Sequence, residues 1–156
     1  MKIYTLESEM TAAVPLQEAF AFFEDPRNLA RITPPELGFR ITSREPVVMR
    51  RGAEIAYRIR VSGVPLGWKT RITDYDPPFS FTDEQAAGPY RLWRHRHTFR
   101  ASAGGAVVAD RVEYALPLGW IGRMAHTLFV RRKLRGIFDY RREALAGILG
   151  VATTAK

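Results

Sequence analysis

The chain has 156 residues, of which 46% are hydrophobic, and its 24 Lys and Arg against 16 Asp and Glu give a formal net charge of +8. This length suits one domain, and charged residues interrupt every apolar run before the ~20 residues that a membrane span needs. The chain has no cysteine, which excludes disulfides, thiolate nucleophiles and Cys-ligated zinc or iron–sulfur sites. The first ten residues alternate like a strand and have no apolar signal core, so we expect a cytoplasmic protein.

The first forty residues predict one strand followed by two short helices. Alternation over residues 2–12 is typical of an edge strand. Pro15 suits a first helical turn, and the helix after it carries an apolar stripe of Leu16, Ala19, Phe20 and Phe23. It should end at Asp25-Pro26. A second short helix over residues 27–32 should stop before Pro34-Pro35, because proline cannot continue a helix.

The middle of the chain alternates between apolar and polar residues and predicts six consecutive strands. Their turns are marked by glycine and proline, as in Gly63 to Gly67, Asp76-Pro77-Pro78 and Gly88-Pro89. Short connections make neighbouring strands antiparallel, and the first strand can join the sheet at one edge. The six strands are expected over residues 37–44, 53–62, 68–75, 79–85, 90–101 and 106–116.

Residues 119–149 predict a helix whose apolar stripe changes direction part of the way along. At about 100° per residue, Ile121, Ala125 and Leu128 point in one direction. A second stripe lies nearly opposite and consists of Val130, Leu134, Ile137, Leu145 and Ile148. Since one straight helix cannot bury both stripes, we predict a kink or break within residues 128–132. The main helix after it has about 20 residues, enough at ~1.5 Å each to span the sheet, and its stripe also contains Arg141.

The strand over residues 90–101 organises the predicted interior. Alternation puts Trp93, His95, His97 and Phe99 on one face and a row of arginines on the other. If Phe81 shares the core face, strand pairing sets Asp83 beside Trp93 and Phe81 beside His95. Asp83 and Gln85 then point inward, and Asp110 and Tyr114 on the next strand complete a polar cluster.

Three stretches carry a resemblance to a known superfamily: PLQEAF with DPRNL over residues 15–29, the run from Asp83 to Phe99 with its DEQ, GPY and HTF segments, and DRVEY with LPLG over residues 110–119. Over its whole length the chain resembles small bacterial members of the START-related SRPBCC superfamily. That group includes birch pollen allergen-like proteins, polyketide cyclase/dehydrases and coenzyme Q-binding START-domain proteins. Because it hosts carriers, receptors and enzymes, the resemblance does not specify an activity.

The order of elements and the resemblance together predict an α+β protein with the helix-grip fold. A curved antiparallel sheet of about seven strands wraps around the long C-terminal helix, with two short helices between strands 1 and 2. The resemblance implies a deep, mostly apolar cavity between sheet and helix. We expect a single ligand-binding domain over residues 1–150 and a flexible tail over residues 151–156.

The cavity is expected to be lined by large rings and a few polar groups. The residues predicted to contact a ligand are Tyr57, Trp68, Phe81, Asp83, Gln85, Trp93, His95, His97, Phe99, Tyr114, Leu134, Phe138 and Arg141. Arg141 either contacts the ligand, pairs with an inward aspartate or extends to the rim.

The candidate catalytic groups are His95 and His97 with Asp83 or Asp110, because a carboxylate can position an imidazole as a general base. The same residues also suit a buried hydrogen-bonded network without any reaction. His95 and His97 alternate as half of a metal site would, but no glutamate follows at a cupin-like spacing, so we expect no metal and no cofactor. No G-x-S-x-G elbow and no nucleotide-binding glycine loop is present.

Three functions remain, in order of preference. The first is binding of a hydrophobic small molecule such as a lipid, an isoprenoid or quinone, or a polyketide-like ring compound. The second is an enzyme of the polyketide cyclase/dehydratase type. The third is interaction through the basic surface, where the apolar segment over residues 121–130, flanked by arginines, could touch an anionic membrane transiently. We do not expect nucleic-acid binding, because the basic residues are spread along the chain.

Overall fold

In a computed structural model, which describes residues 1–44 and 46–151, seven antiparallel strands form one sheet in the order β1-β7-β6-β5-β4-β3-β2. The edge strands are therefore β1 and β2, and β5 is the central strand, with β6 and β4 on either side of it. The strands are β1 (Tyr4–Ala12), β2 (Arg40–Ile41), β3 (Glu54–Val61), β4 (Val64–Asp76), β5 (Ser80–Ala87), β6 (Leu92–Ser102) and β7 (Gly105–Ala115).

The helices lie on one face of this sheet. After β1 come α1 (Leu16–Glu24) and two 3₁₀ turns, Pro26–Ile32 and Pro35–Leu37; after β7 come α2 (Gly119–Ala125), a π-helical turn (His126–Val130) and α3 (Arg131–Leu149). A seven-stranded sheet with a long C-terminal helix and short helices after strand 1 confirms the predicted α+β helix-grip fold.

The buried side chains form three apolar clusters that fix the helices on the sheet. The first joins α1 to the middle strands through Phe20, Phe81 and Phe99. The second joins the C-terminal half of α3 to the 3₁₀ turns and includes Ile32 and Leu145. The third holds Leu134 and Phe138 of α3 over Val112 and Tyr114 of β7. Together they hold α3 against α1 at one end and against β7 at the other.

Two predicted strands have different bounds in the structure. The strand expected over residues 37–44 is reduced to β2, because Pro35–Leu37 forms a 3₁₀ turn that ends at Gly38 with φ +54°. The strand expected to begin at residue 68 begins instead at Val64. Ser62 and Gly63, both with positive φ, make a two-residue turn that leaves residues 64–67 free to pair with β3.

The pairing predicted for β5 and β6 is wrong by two residues. Asp83 lies opposite His95 and Phe81 opposite His97, where the sequence predicted Trp93 and His95 as their partners. The difference arises in the connecting loop, where the Gln85 side chain bonds both backbone groups of Tyr90, with Nε2 donating to its carbonyl at 2.7 Å and Oε1 accepting from its N–H at 3.0 Å. With this cross-linked loop, the partner of each β5 residue lies two residues further along β6 than predicted.

The kink or break predicted in the C-terminal helix corresponds to the π-helical turn at His126–Val130, which begins two residues before the predicted span of 128–132. The chain stays helical throughout, so there is no break. The expectation that both apolar stripes are buried is wrong for the first, because Ile121 and Leu128 are exposed. The predicted tail over residues 151–156 lies outside the described residues, apart from Val151, which forms an isolated bridge with Ala12.

Candidate ligand cavity

A cavity of about 1120 Å³ lies between the inner face of the sheet, the 3₁₀ turns and α3. Most of its wall is apolar or aromatic. Tyr57 and Trp68 stack at 5.9 Å between ring centroids, and Trp68 meets Trp93 edge-on at 5.3 Å. The predicted residues that line the cavity are Tyr57, Trp68, Phe81, Asp83, Trp93, His95, His97, Leu134, Phe138 and Arg141.

Three of the predicted contact residues are placed elsewhere. Gln85 is bonded to the loop backbone at Tyr90. Phe99 packs beneath α1, with its ring 5.2 Å from that of Phe20. The Tyr114 hydroxyl bonds to His126 Nε2 at 2.7 Å. All three side chains face inward, as their alternation predicted, but the inner face extends beyond the cavity on both sides.

A cluster of two aspartates and two histidines forms the polar part of the site. The two imidazoles stack at 3.8 Å between centroids on the inner face of β6. Although Asp83 lies opposite His95 and Asp110 opposite His97, the hydrogen bonds run diagonally. His97 Nε2 bonds to Asp83 Oδ2 at 2.8 Å, and His95 Nε2 bonds to Asp110 Oδ1 at 2.7 Å. Each carboxylate therefore holds one ring and also lies beside the other.

Arg141 of α3 closes this cluster from the helix side. It is buried, as its position in the apolar stripe implied, and its Nη2 lies 3.9 Å from Asp110 Oδ1. Its guanidinium also lies over the rings of Phe23 and Phe138, about 5.5 Å and 5.6 Å from their centroids. The arginine thus both lines the cavity and pairs with an inward aspartate.

The buried charges of the cluster decide its protonation. Burial disfavours ionised carboxylates, but Arg141 and the imidazoles outweigh it and hold the pKa of Asp110 well below its usual range. Asp83 behaves likewise, chiefly through its bond from His97. Burial also disfavours imidazolium, yet the neighbouring Asp110 carboxylate and the hydrogen bond to Asp83 outweigh it for His97 and raise its pKa.

His95 has the opposite behaviour. Burial, together with the neighbouring His97 charge, lowers the pKa of His95 despite its bond to Asp110. Since an ionised carboxylate can only accept, neutral His95 must donate from Nε2, which leaves its Nδ1 as an acceptor 4.0 Å from Asp83 Oδ2. The cluster therefore combines two ionised carboxylates, the Arg141 cation, an imidazole with a raised pKa and a neutral imidazole with a free lone pair.

Asp83, His95 and His97 also offer three donor atoms within 4.8 Å of one another, which is compatible with a divalent cation. Asp110 lies behind both rings, near His95 Nε2 and His97 Nδ1, as an orienting carboxylate would. A cation there would have to replace the hydrogen bond between His97 Nε2 and Asp83. These residues can hold a metal ion only if the hydrogen bond between His97 and Asp83 is broken.

Sequence reasoning missed two features of the site. Tyr90 lines the cavity and packs against Trp93 at 4.8 Å, but it follows the Gly88-Pro89 turn and was not assigned a face. His126 is buried between Tyr114 and Tyr4, with its ring stacked 3.5 Å from that of Tyr4. On a helical wheel His126 lies opposite Ile121 and Leu128, and this position was the sequence signal that could have predicted its burial.

The fold and the cavity define a helix-grip protein of the START-related SRPBCC superfamily. Within that class, the chain belongs to the family described as polyketide cyclase/dehydrase and lipid transport, whose model matches residues 12–137. A comparison with curated protein sequences gives no match. None of the described helices combines the length and the hydropathy that crossing a membrane requires.

Solved structures support the fold at low sequence identity. A protein from Chromobacterium violaceum is 16% identical with a TM-score of 0.72, over 94% of this chain and 96% of that one. The Zhui aromatase/cyclase from Streptomyces sp. R1128 is 14% identical with a TM-score of 0.67, over 94% and 96%. A ginseng major latex-like protein from Panax ginseng is 12% identical with a TM-score of 0.68, over 94% and 97%.

Proposed function

We propose that this protein binds a hydrophobic small molecule, a lipid, an isoprenoid or quinone, or a polyketide-like ring compound, between the sheet and α3. The observation that carries this proposal is a mostly apolar cavity of about 1120 Å³ with the polar cluster of Asp83, His95 and His97 in its sheet wall. Ligand sites are typically ~300–1000 Å³ and combine an apolar wall with a few convergent polar groups. The cavity therefore suits a bulky ligand.

The polar cluster indicates which end of the ligand it receives. Asp83 is the most exposed member, with 17% of its side chain accessible, and both its carboxylate and His95 Nδ1 are acceptors. Arg141 is a donor within the same wall. A hydroxyl can donate and accept at once, so a phenolic or enolic ring fits this cluster better than a purely hydrocarbon end.

Binding can be followed by the fluorescence of Trp68 and Trp93, which both line the cavity. We expect a hydroquinone with a short isoprenoid tail to quench this fluorescence saturably. Ile59→Trp, on the cavity wall, should weaken binding by at least about tenfold by occupying the space. Arg58→Trp, on the exposed face of the same strand, is the matched control. Equal affinities for the two variants would contradict the proposal.

The alternative is an enzyme of the cyclase/dehydratase type in the same cavity. The observation that favours it is the pair of stacked imidazoles whose pKa values are shifted in opposite directions. His95 Nδ1 would take a proton from the carbon between two ketone groups. The carbanion would add to a distant ketone of the same molecule and close a ring, while His97 gives its proton to the ketone oxygen and turns it into a hydroxyl. Protonated His95 would then return its proton to that hydroxyl as neutral His97 removes the second proton from the same carbon, so that water leaves as the carbon–carbon double bond forms.

A synthetic poly-β-ketone distinguishes the two functions. An enzyme converts it into a dehydrated ring detectable by mass spectrometry, and His95→Gln abolishes that conversion while changing affinity by less than about tenfold. His126→Gln, a buried histidine outside the cavity, is the matched control and should retain turnover. A binding protein gives no product with either variant. Native mass spectrometry of the protein from its own host identifies the molecule that it carries.

A further inference from the structure

The helix α2 exposes its large apolar residues and buries its small and polar ones, the reverse of an ordinary surface helix. Trp120, Ile121 and Met124 are 64%, 46% and 51% exposed, and Leu128 continues the same face at 59%. On the opposite side the helix buries Gly122 and His126. A helix on an aqueous surface normally buries its large apolar residues and exposes its polar ones. Here the small and polar residues pack against the fold, and the large apolar ones face away from it.

This orientation is enforced by close packing at Gly122. A Cβ atom at that position would lie 2.2 Å from the Pro117 carbonyl oxygen, so the helix approaches the preceding loop as only glycine allows. His126 adds a second attachment through its bond to the Tyr114 hydroxyl and its stacking on Tyr4. Rotating α2 to bury Trp120 would break both contacts. The exposed apolar face is therefore a built feature of the fold.

The surroundings of this face are cationic. No Asp or Glu occurs between Glu113 and Asp139, a stretch that contains Arg123, Arg131, Arg132, Lys133 and Arg135. All five are exposed, and none forms an ion pair with another residue in the part of the chain that the structure describes. Unpaired cations around exposed Trp, Ile, Met, Leu and Phe match the two layers of an anionic bilayer surface, the charged headgroups and the apolar chains beneath them.

The same face continues into the cavity. Leu128 and Phe129 line the cavity wall and are 59% and 70% exposed, so they lie at its mouth. Arg132 and Lys133 line it as well and stand among the free cations. Whatever covers the apolar face of α2 therefore also meets the opening through which a ligand would pass.

We infer that α2 and the π-helical turn form a docking surface for anionic membranes. The helix lies in the plane of the interface with Trp120, Met124 and Phe129 among the acyl chains and the arginines at the headgroups. The proposed binding to membranes depends only on this surface. Its use as the loading and unloading route of the cavity rests on the proposed ligand-binding function.

Co-sedimentation with vesicles tests the surface directly. We expect the protein to bind phosphatidylcholine vesicles containing about 30 mol% phosphatidylserine, and to bind vesicles of phosphatidylcholine alone at least about tenfold more weakly. Trp120→Ser with Met124→Ser should lower binding to the anionic vesicles by at least about tenfold. Neither residue lines the cavity, so binding of the hydroquinone probe in solution should be unchanged.

Two matched controls make the result specific to α2. Val64→Ser with Phe79→Ser removes apolar side chains of similar exposure from the start of β4 and from the turn before β5, and should leave vesicle binding unchanged. Arg123→Gln with Arg131→Gln should weaken it, whereas Arg91→Gln with Arg96→Gln, two exposed cations elsewhere, should affect it less. Equal effects of the paired variants, or no vesicle binding by the native protein, would overturn the inference.

Self-association is the competing explanation for an exposed apolar face. If the native protein is dimeric in size-exclusion chromatography and the Trp120→Ser, Met124→Ser variant is monomeric, the face is an interface between two copies and the inference is wrong. If the probe binds but vesicles do not, only the docking surface fails. If vesicles bind but no probe does, the ligand-binding proposal fails and the surface stands.

Discussion

Asp110 is the carboxylate that joins the sheet to the long helix. It accepts a hydrogen bond from His95, lies 3.2 Å from His97 Nδ1 and faces Arg141 of α3 at 3.9 Å. All of these groups are buried, so its negative charge stabilises the Arg141 cation in the interior and, together with Asp83, favours a proton on His97. The side chain is a positioning residue that stands outside the cavity wall.

We therefore expect Asp110→Asn to destabilise the fold by about 3 kcal/mol, because it leaves the Arg141 guanidinium buried without the carboxylate that it faces. Urea unfolding followed by circular dichroism measures the change. Glu113→Gln, on the outer face of the same strand, is the matched control and should cost less than about 1 kcal/mol, since Glu113 forms only surface ion pairs. A loss for Asp110→Asn no larger than that of the control would contradict this account.

His126 should make stability depend on pH. Burial, followed by the charges of Arg131 and Lys2, lowers the pKa of His126 below its unfolded value of about 6.5. As the pH falls through and below that value, the unfolded chain binds a proton that the folded chain does not, so stability decreases. His126→Gln keeps a group able to accept from Tyr114 but does not titrate. The free energy of unfolding of the native protein should therefore fall more steeply than that of the variant between about pH 7.5 and 5.5.

Parallel pH profiles for the native protein and His126→Gln would show that this histidine is not the group responsible. His95 and His97 titrate in both proteins, so their contributions cancel in the comparison. The loss of stability begins around the unfolded pKa of about 6.5 and continues downwards because the pKa of His126 is lower in the folded chain, and the sign is that of a group kept neutral by the fold.

At the residue scale, sequence reasoning predicted most of the polar cluster, since alternation alone places Asp83, His95, His97 and Asp110 on one face. It could not predict which imidazole meets which carboxylate. That depends on the diagonal hydrogen bonds and on the loop at Gln85, whose side chain competes for backbone groups that a strand pattern leaves unassigned.

At the scale of elements, α2 depends on the absence of a side chain at one position. We expect Gly122→Ala to destabilise the protein by about 1–3 kcal/mol, because its Cβ would meet a backbone oxygen that cannot move aside easily. Thermal unfolding measures this effect. Gly136→Ala in α3 is the matched control: no atom lies within 4 Å of its Cβ position, so it should stabilise by about 0.4–1 kcal/mol. A stabilising Gly122→Ala would show that α2 is not held as described.

The bounds of helices and strands were predictable where local sequence patterns are strong. They were not predictable where tertiary contacts determine the bounds or the burial of an element. The alternation in β3 and β6 and the stop at Asp25-Pro26 placed those elements within one or two residues. The strand expected over residues 37–44 is shortened to Arg40–Ile41, and the 3₁₀ turn with Gly38 takes up its first two residues. Apolar periodicity predicted burial for Ile121 and Leu128, and exposure of an apolar face is something that periodicity cannot report.

At the scale of the whole molecule, the cavity makes stability depend on its occupant. A ligand that binds only the folded chain raises the free energy of unfolding by RT ln(1 + [L]/Kd), about 2.7 kcal/mol at a concentration of 100 Kd. We expect the hydroquinone probe to raise the melting temperature in proportion to the logarithm of its concentration. Differential scanning fluorimetry measures this, and Ile59→Trp should need at least about tenfold more probe for the same shift. An equal shift in that variant would place the probe outside the cavity.

The π-helical turn between α2 and α3 determines how a small change in chain length alters the exposed apolar face of α2. A π-turn contains one more residue than the α-helical turn it replaces, and the extra residue rotates everything before it by roughly a quarter of a turn or more. A single codon gained or lost at residues 126–130 would therefore reorient Trp120, Ile121 and Met124 together, without altering any of them. Relatives that differ by one residue in length here should differ in whether α2 presents its apolar face, even where the cavity is unchanged.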